Sequence, residues 1–145
     1  MRILLTVDGS IYTKKAVKYL ASHLEFFKEM PELHLLHVKA PIPAGLAVHR
    51  ARALLGNDAV DSYYKEESEK ALAVAEKALS KKDIPFTSSY KVGEITDEIR
   101  KYASKNKIDL IVMGSHGHGA LAGAIMGSVA TKIMASTDIP VLIVR

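Results

Sequence analysis

Leu110-Ile111-Val112-Met113, running straight into Gly114-Ser115-His116-Gly117-His118-Gly119, is the stretch that decides the fold. Its four apolar residues do not alternate with polar ones, so the strand they form is buried on both faces. Strands of that kind belong to parallel sheets with helices on either side. The run is cut off by glycines, which mark a turn at the strand's C-terminal end.

Outward from this strand the same grammar repeats. Ile3-Leu4-Leu5-Thr6-Val7 is a short β-prone run that stops at Asp8-Gly9-Ser10. Leu33 to Val38 forms a second strand. Phe86 to Val92 sets Phe86, Ser88, Tyr90 and Val92 against the polar Thr87, Ser89 and Lys91, the pattern of an edge strand. Val141-Leu142-Ile143-Val144 closes the chain behind Pro140. Helical stripes lie between the strands. Ala16, Val17, Leu20, Ala21, Leu24 and Phe27 predict a helix from about Thr13 to Lys28. Further helices are expected from about Asp58 to Lys81, after Gly93 with Ile95, Ile99, Tyr102 and Ala103 inward, and from about Ser128 to Ala135.

Strict β-α alternation gives a parallel sheet with right-handed crossovers. The expectation is an α/β fold: one open, doubly wound sheet of five parallel strands in the order 3-2-1-4-5 with four helices. It occupies residues 1–145 as a single domain. In such sheets ligands bind beyond the strand ends where the order reverses. Strands one and four as neighbours would open the Asp8 turn and the Gly114 turn into one crevice. The Lys39–Asn57 connection, with Pro41, Pro43, Gly45 and Gly56, is long for a compact domain, and its role stays open.

Composition narrows the function classes. The chain has 145 residues, 48% apolar and 25% charged, as in globular proteins. With no cysteine it forms no disulfide and has no thiol chemistry, in keeping with a cytoplasmic location. No leader and no membrane-length apolar run is expected. Net charge is +4, with 20 Lys and Arg interspersed among 16 Asp and Glu. That is a mixed surface, not the basic stripe of a nucleic-acid binder.

The glycine turn carries the functional signal. Gly114, Gly117 and Gly119 let the backbone approach a ligand, and Gly127-Ser128 stands directly before the last helix. A helix start offers free N–H groups and partial positive charge, so the two together read as a phosphate cradle. The competing reading is a turn followed by an N-cap serine. No Gly-Lys pair is present, which excludes a Walker-type loop. Gly117-His118-Gly119-Ala120-Leu121-Ala122 mimics the dinucleotide fingerprint, but in the wrong context near the chain's end.

Gly114-x2-Gly117-x9-Gly127-Ser128 resembles the G-2x-G-9x-G-S/T signature of ATP-binding members of the universal stress protein family. The Asp8-Gly9-Ser10 turn, the His37-Val38 strand end, Asp109 to Gly117 and Pro140 to Val144 look like that family too, so the resemblance spans nearly the whole chain. It implies a Rossmann-like fold of the adenine nucleotide α-hydrolase-like kind. It also implies that ATP binds with Mg²⁺ or Mn²⁺ bridged through the phosphates. Asp8 would take the ribose hydroxyls, and Val38 the adenine edge through its backbone. Met113 and Gly114 would flank base and ribose. Gly117, Gly127, Ser128 and Val129 would hold phosphates, with Ser115 and His116 in the same loop. The resemblance further implies a homodimer through Val141, Leu142, Ile143 and Val144, pairing an otherwise open edge.

Three other chemistries find little support. His34 and His37, three apart on a strand, face opposite ways, and no metal-ligand motif such as HExxH is present, so no protein-held metal is expected. There is no G-x-S-x-G elbow for a hydrolase. No general base or loop arginine suggests fast phosphoryl transfer. A nucleotide-dependent signalling module is therefore expected, with a slow ATPase, a self-phosphorylating protein or a nucleotide-free scaffold as alternatives.

Overall fold

The computed structural model describes residues 1–43, 45, 53, 56–118 and 125–145. Gly119 and most of the Lys39–Asn57 connection lie outside the described residues. The strands are β1 (Arg2–Thr6), β2 (Glu32–Lys39), β3 (Phe86–Val92), β4 (Leu110–Gly114) and β5 (Val141–Val144). The helices that position the site are α1 (Ile11–Ser22), α2 (Asn57–Ser80), α3 (Ile95–Lys105) and α4 (Ser128–Ser136).

The five strands form one sheet in the order β3-β2-β1-β4-β5, and all four pairings are parallel. β1 lies between β2 and β4, with Thr6 opposite Leu36 and Leu5 opposite Val112. The polar-faced β3 is an edge strand, as its alternation requires. β5 is the other edge.

Side-chain alternation divides the core between the two faces. Ile3, Leu5, Leu33, Leu35 and Val112 pack with Val17 and Leu20 of α1 and Leu72 and Leu79 of α2. Leu4, Leu36, Ile111 and Met113 pack on the other face with Ile99 of α3 and Ile133 of α4. Two of the helices start on a side-chain cap. Ser10 Oγ accepts from the Thr13 N–H at 3.3 Å to start α1, and Glu94 Oε2 accepts from the Asp97 N–H at 2.7 Å to start α3.

The first helix is shorter than its apolar stripe predicts. It stops at Ser22, His23 leaves helical torsions (φ −129), and a 3₁₀ turn, Leu24–Phe26, follows. Leu24 and Phe27 still pack against the core, so the stripe records burial correctly while the backbone under it has changed. The other boundaries differ from expectation by one or two residues, the usual fraying of element ends.

Leu4 and Ile111 are fully buried on the same face. Leu4→Ala and Ile111→Ala should each lower stability by about 2–5 kcal/mol. Urea denaturation followed by circular dichroism measures the loss.

Candidate functional site

β2 outruns β1. Their register ends at Thr6 opposite Leu36, yet β2 continues to Lys39. The Val7 N–H donates to the Leu36 carbonyl at 2.8 Å, and the Gly93 N–H to the Lys39 carbonyl at 3.0 Å. Main-chain polar groups alternate sides along a strand. Those of Leu36 and Val38 therefore point toward the β1 side, and for Val38 no strand lies there. The Val38 groups face a cavity of about 830 Å³ above the C-terminal ends of β1, β2 and β4.

That volume is within the range of small-molecule sites, about 300–1,000 Å³. The cavity is lined by Asp8, Val38, Met113, Gly114, Ser115, His116, Gly117, Gly127, Ser128 and Val129. The structure thus brings to one place all ten residues for which the resemblance implied contact with the nucleotide, while Gly119 lies outside the described residues. The adjacency of β1 and β4 does this, since both turns open into the same crevice.

Asp8 supplies a carboxylate at the exit of β1. Its Oδ1 accepts from the Ser10 N–H at 2.9 Å and from the Thr13 hydroxyl at 2.6 Å. Burial pushes its pKa up, but these hydrogen bonds and the nearby His118 imidazole pull it further down, so the carboxyl sits below its ordinary value. The second oxygen, Oδ2, faces Gly117. A Cβ at Gly117 would lie 2.7 Å from it. Gly9, at φ +79, makes the turn that follows.

The glycine turn packs against the helix starts. A Cβ at Gly114 would meet Tyr12 Cβ at 2.6 Å and the Tyr12 carbonyl carbon at 2.9 Å, so β4 can end against α1 only as glycine. The Gly127 N–H donates to the Ser115 carbonyl at 2.7 Å, which brings the start of α4 onto the turn. Its N-cap is Gly127, which has no side chain to offer, and no side-chain cap of α4 is formed among the described residues. The Thr131 N–H is the first to reach back into the helix, to the Gly127 carbonyl at 3.0 Å. The amides of Ser128, Val129 and Ala130 thus have no intrahelical acceptor, and all three residues line the cavity. Ser115 Oγ and His116 Nδ1 are 3.0 Å apart.

A family model matches this chain over residues 1–145, and it is that of the Universal stress protein family. The chain belongs to the universal stress protein family. Universal stress protein YxiE of Bacillus subtilis is 32% identical, aligned over 99% of this chain and 98% of its own length. Universal stress protein Slr1230 of Synechocystis is 28% identical over 99% of this chain, which spans 42% of that longer relative. Among solved structures, MJ0577 of Methanocaldococcus jannaschii superposes with a TM-score of 0.75 at 26% identity, covering 99% of this chain and 94% of that one. A universal stress protein family member from Arabidopsis thaliana, with AMP bound, has a TM-score of 0.68 at 17% identity, covering 99% and 90%.

Some lining residues of this universal stress protein carry no sequence signal. Lys39, Glu67, Lys70 and Ala71 form a wall supplied by β2 and α2. Glu67 lies 3.6 Å from the Lys39 ammonium and 3.4 Å from that of Lys70. In sequence these look like the solvated face of a helix. Thr13 is also new, and its spacing of three from the N-cap Ser10 could have been read as a capping pair. Among the described residues, no group of three or more His, Asp or Glu gathers as a metal would require, and no helix is long and apolar enough to cross a membrane.

His37 is buried, with Nδ1 2.7 Å from the Val7 carbonyl oxygen. Burial pushes its pKa below the ordinary value near 6.5, outweighing the hydrogen bond to Val7. The unfolded chain therefore takes up the proton first as pH falls, and acid favours unfolding. The thermal midpoint should be level above about pH 7.5 and fall as pH drops below about 6.5. In His37→Asn, which keeps a donor for Val7, this part of the fall should shrink. Scanning calorimetry across pH measures both.

Proposed function

We propose that this cavity binds an adenine nucleotide, ATP with its divalent ion, and that the protein is a nucleotide-dependent signalling module of the cytoplasm. The observation that carries the reading is the uncapped start of α4 facing the glycine turn. Three amides without intrahelical acceptors, at the positive end of a helix, are suited to phosphate oxygens. Gly117 lets the turn pack directly on the Asp8 carboxylate, where any side chain would push the carboxylate aside. The other wall fits the rest of the ligand. The Val38 N–H and C=O offer a donor and an acceptor for the adenine edge, and Asp8 Oδ2 is available to ribose hydroxyls.

The AMP held by the Arabidopsis relative supports an adenine nucleotide here. Mg²⁺ or Mn²⁺ would be held through phosphate oxygens, as is usual for Mg²⁺ bound with a nucleotide. The ion would supply charge neutralisation there, while Met113 and Gly114 flank base and ribose.

Calorimetry with ATP and Mg²⁺ should show saturable binding, and Gly117→Val should weaken it by about tenfold or more. Among the described residues the Cβ it introduces meets only the Asp8 carboxyl group, and circular dichroism should show the variant folded. Absence of heat and of any thermal shift for the wild type at millimolar ATP overturns the proposal. Labelled ATP should be recovered intact after incubation. Turnover that Gly117→Val abolishes would mark an enzyme instead.

We also propose a homodimer through β5. The Pro140 and Val144 carbonyls accept from the Ile111 and Ser115 amides of the β4 side. By alternation, the polar groups of Val141 and Ile143 point to the open edge, where the β5 of a second copy can pair antiparallel. Light scattering should give a dimer for the wild type. Ile143→Pro, which removes an outward N–H without touching the β4 ladder, should give a monomer.

A further inference from the structure

Where β1 leaves the sheet, two successive carbonyls, Val7 and Asp8, lie beyond the last residue paired with β2. Each meets an imidazole. His37 Nδ1 is 2.7 Å from the Val7 oxygen, and His118 Nε2 is 2.8 Å from the Asp8 oxygen. A carbonyl oxygen only accepts, so these two ring nitrogens carry protons. The settings differ. His37 is buried in the core, whereas His118 is exposed on the far side of the glycine turn. The His118 bond joins residues 110 positions apart and runs from one wall of the cavity to the other. Directly before it, Gly117 stands against the Asp8 carboxylate.

We propose that His118 is a positioning residue of the cavity: its Nε2–H ties the glycine turn to the exit of β1 and holds Gly117 against the Asp8 carboxylate at the edge of the space proposed for the nucleotide. The proposal rests on the adenine-nucleotide reading above. A turn already held in place has less freedom to lose when the ligand arrives, and affinity gains accordingly. The bond needs a donor of the right reach, not a charge. Glutamine, whose Nε2 reaches about as far, should replace the imidazole, and leucine should not.

The test compares wild type, His118→Leu and His118→Gln by calorimetry with ATP and Mg²⁺, and by amide hydrogen exchange at Gly117 and His118 in the nucleotide-free protein. The leucine variant should bind about three- to tenfold more weakly, the effect of losing one hydrogen bond, and exchange faster at both amides. The glutamine variant should restore both readouts. Should the leucine variant not fold, His118→Ala takes its place. Equal affinity in wild type and leucine variant overturns the role of His118 alone, as does failure of glutamine to rescue. If the wild type binds no nucleotide, the site reading fails and the positioning role falls with it.

Discussion

The parallel pairing of β1 with β4 is the constraint on which the rest of the molecule depends. Both strands run the same way and end at the same height, but the chain leaves them for opposite faces. β1 turns into α1, which covers one side of the sheet, and the chain after β4 returns as α4 on the other. Two turns that part in this way leave a gap between them. β2 deepens the gap by running past the end of β1, and α2 supplies its outer wall. The cavity therefore follows from strand order and strand length before any polar residue is considered.

The polar groups within that gap divide into two kinds. At the rim, Lys39, Glu67 and Lys70 are occupied with one another, and Lys70 also pairs with Glu66 at 2.9 Å. These exposed pairs contribute little to stability. Inside, the carboxylate of Asp8 is held ionised by Ser10 and Thr13, and the remaining donors are main-chain amides at the start of α4. That amide donors stand at one end and a carboxylate at the other is set by geometry rather than by net charge, since +4 on 145 residues is a weak field.

Much of this was legible in the sequence, for a physical reason. Ile111 and Val112 must face opposite sides of a strand, so an unbroken apolar run already states that both sides are covered. Gly114 and Gly117 were legible because a missing side chain at a strand end signals close approach, and the structure shows what approaches: Tyr12 at one and Asp8 at the other. The end of α1 was not legible. Leu24 and Phe27 continue the apolar stripe, and only the torsions at His23 reveal that the helix has stopped. Nor was the wall formed by Glu67 and Lys70, because surface-helix composition is the same whether the helix faces water or a crevice. His118 belongs to a third class. It was visible as one more loop residue, but its hydrogen bond to a residue 110 positions away depends on the tertiary fold.

The uncapped start of α4 has a chemical consequence of its own. Peptide N–H groups do not titrate in the range where proteins survive, are not oxidised as thiols are, and do not react with electrophiles as lysine amines do. In a chain without a single cysteine, donors of this kind keep their character through acid, peroxide or aldehyde exposure for as long as the sheet beneath them stays folded.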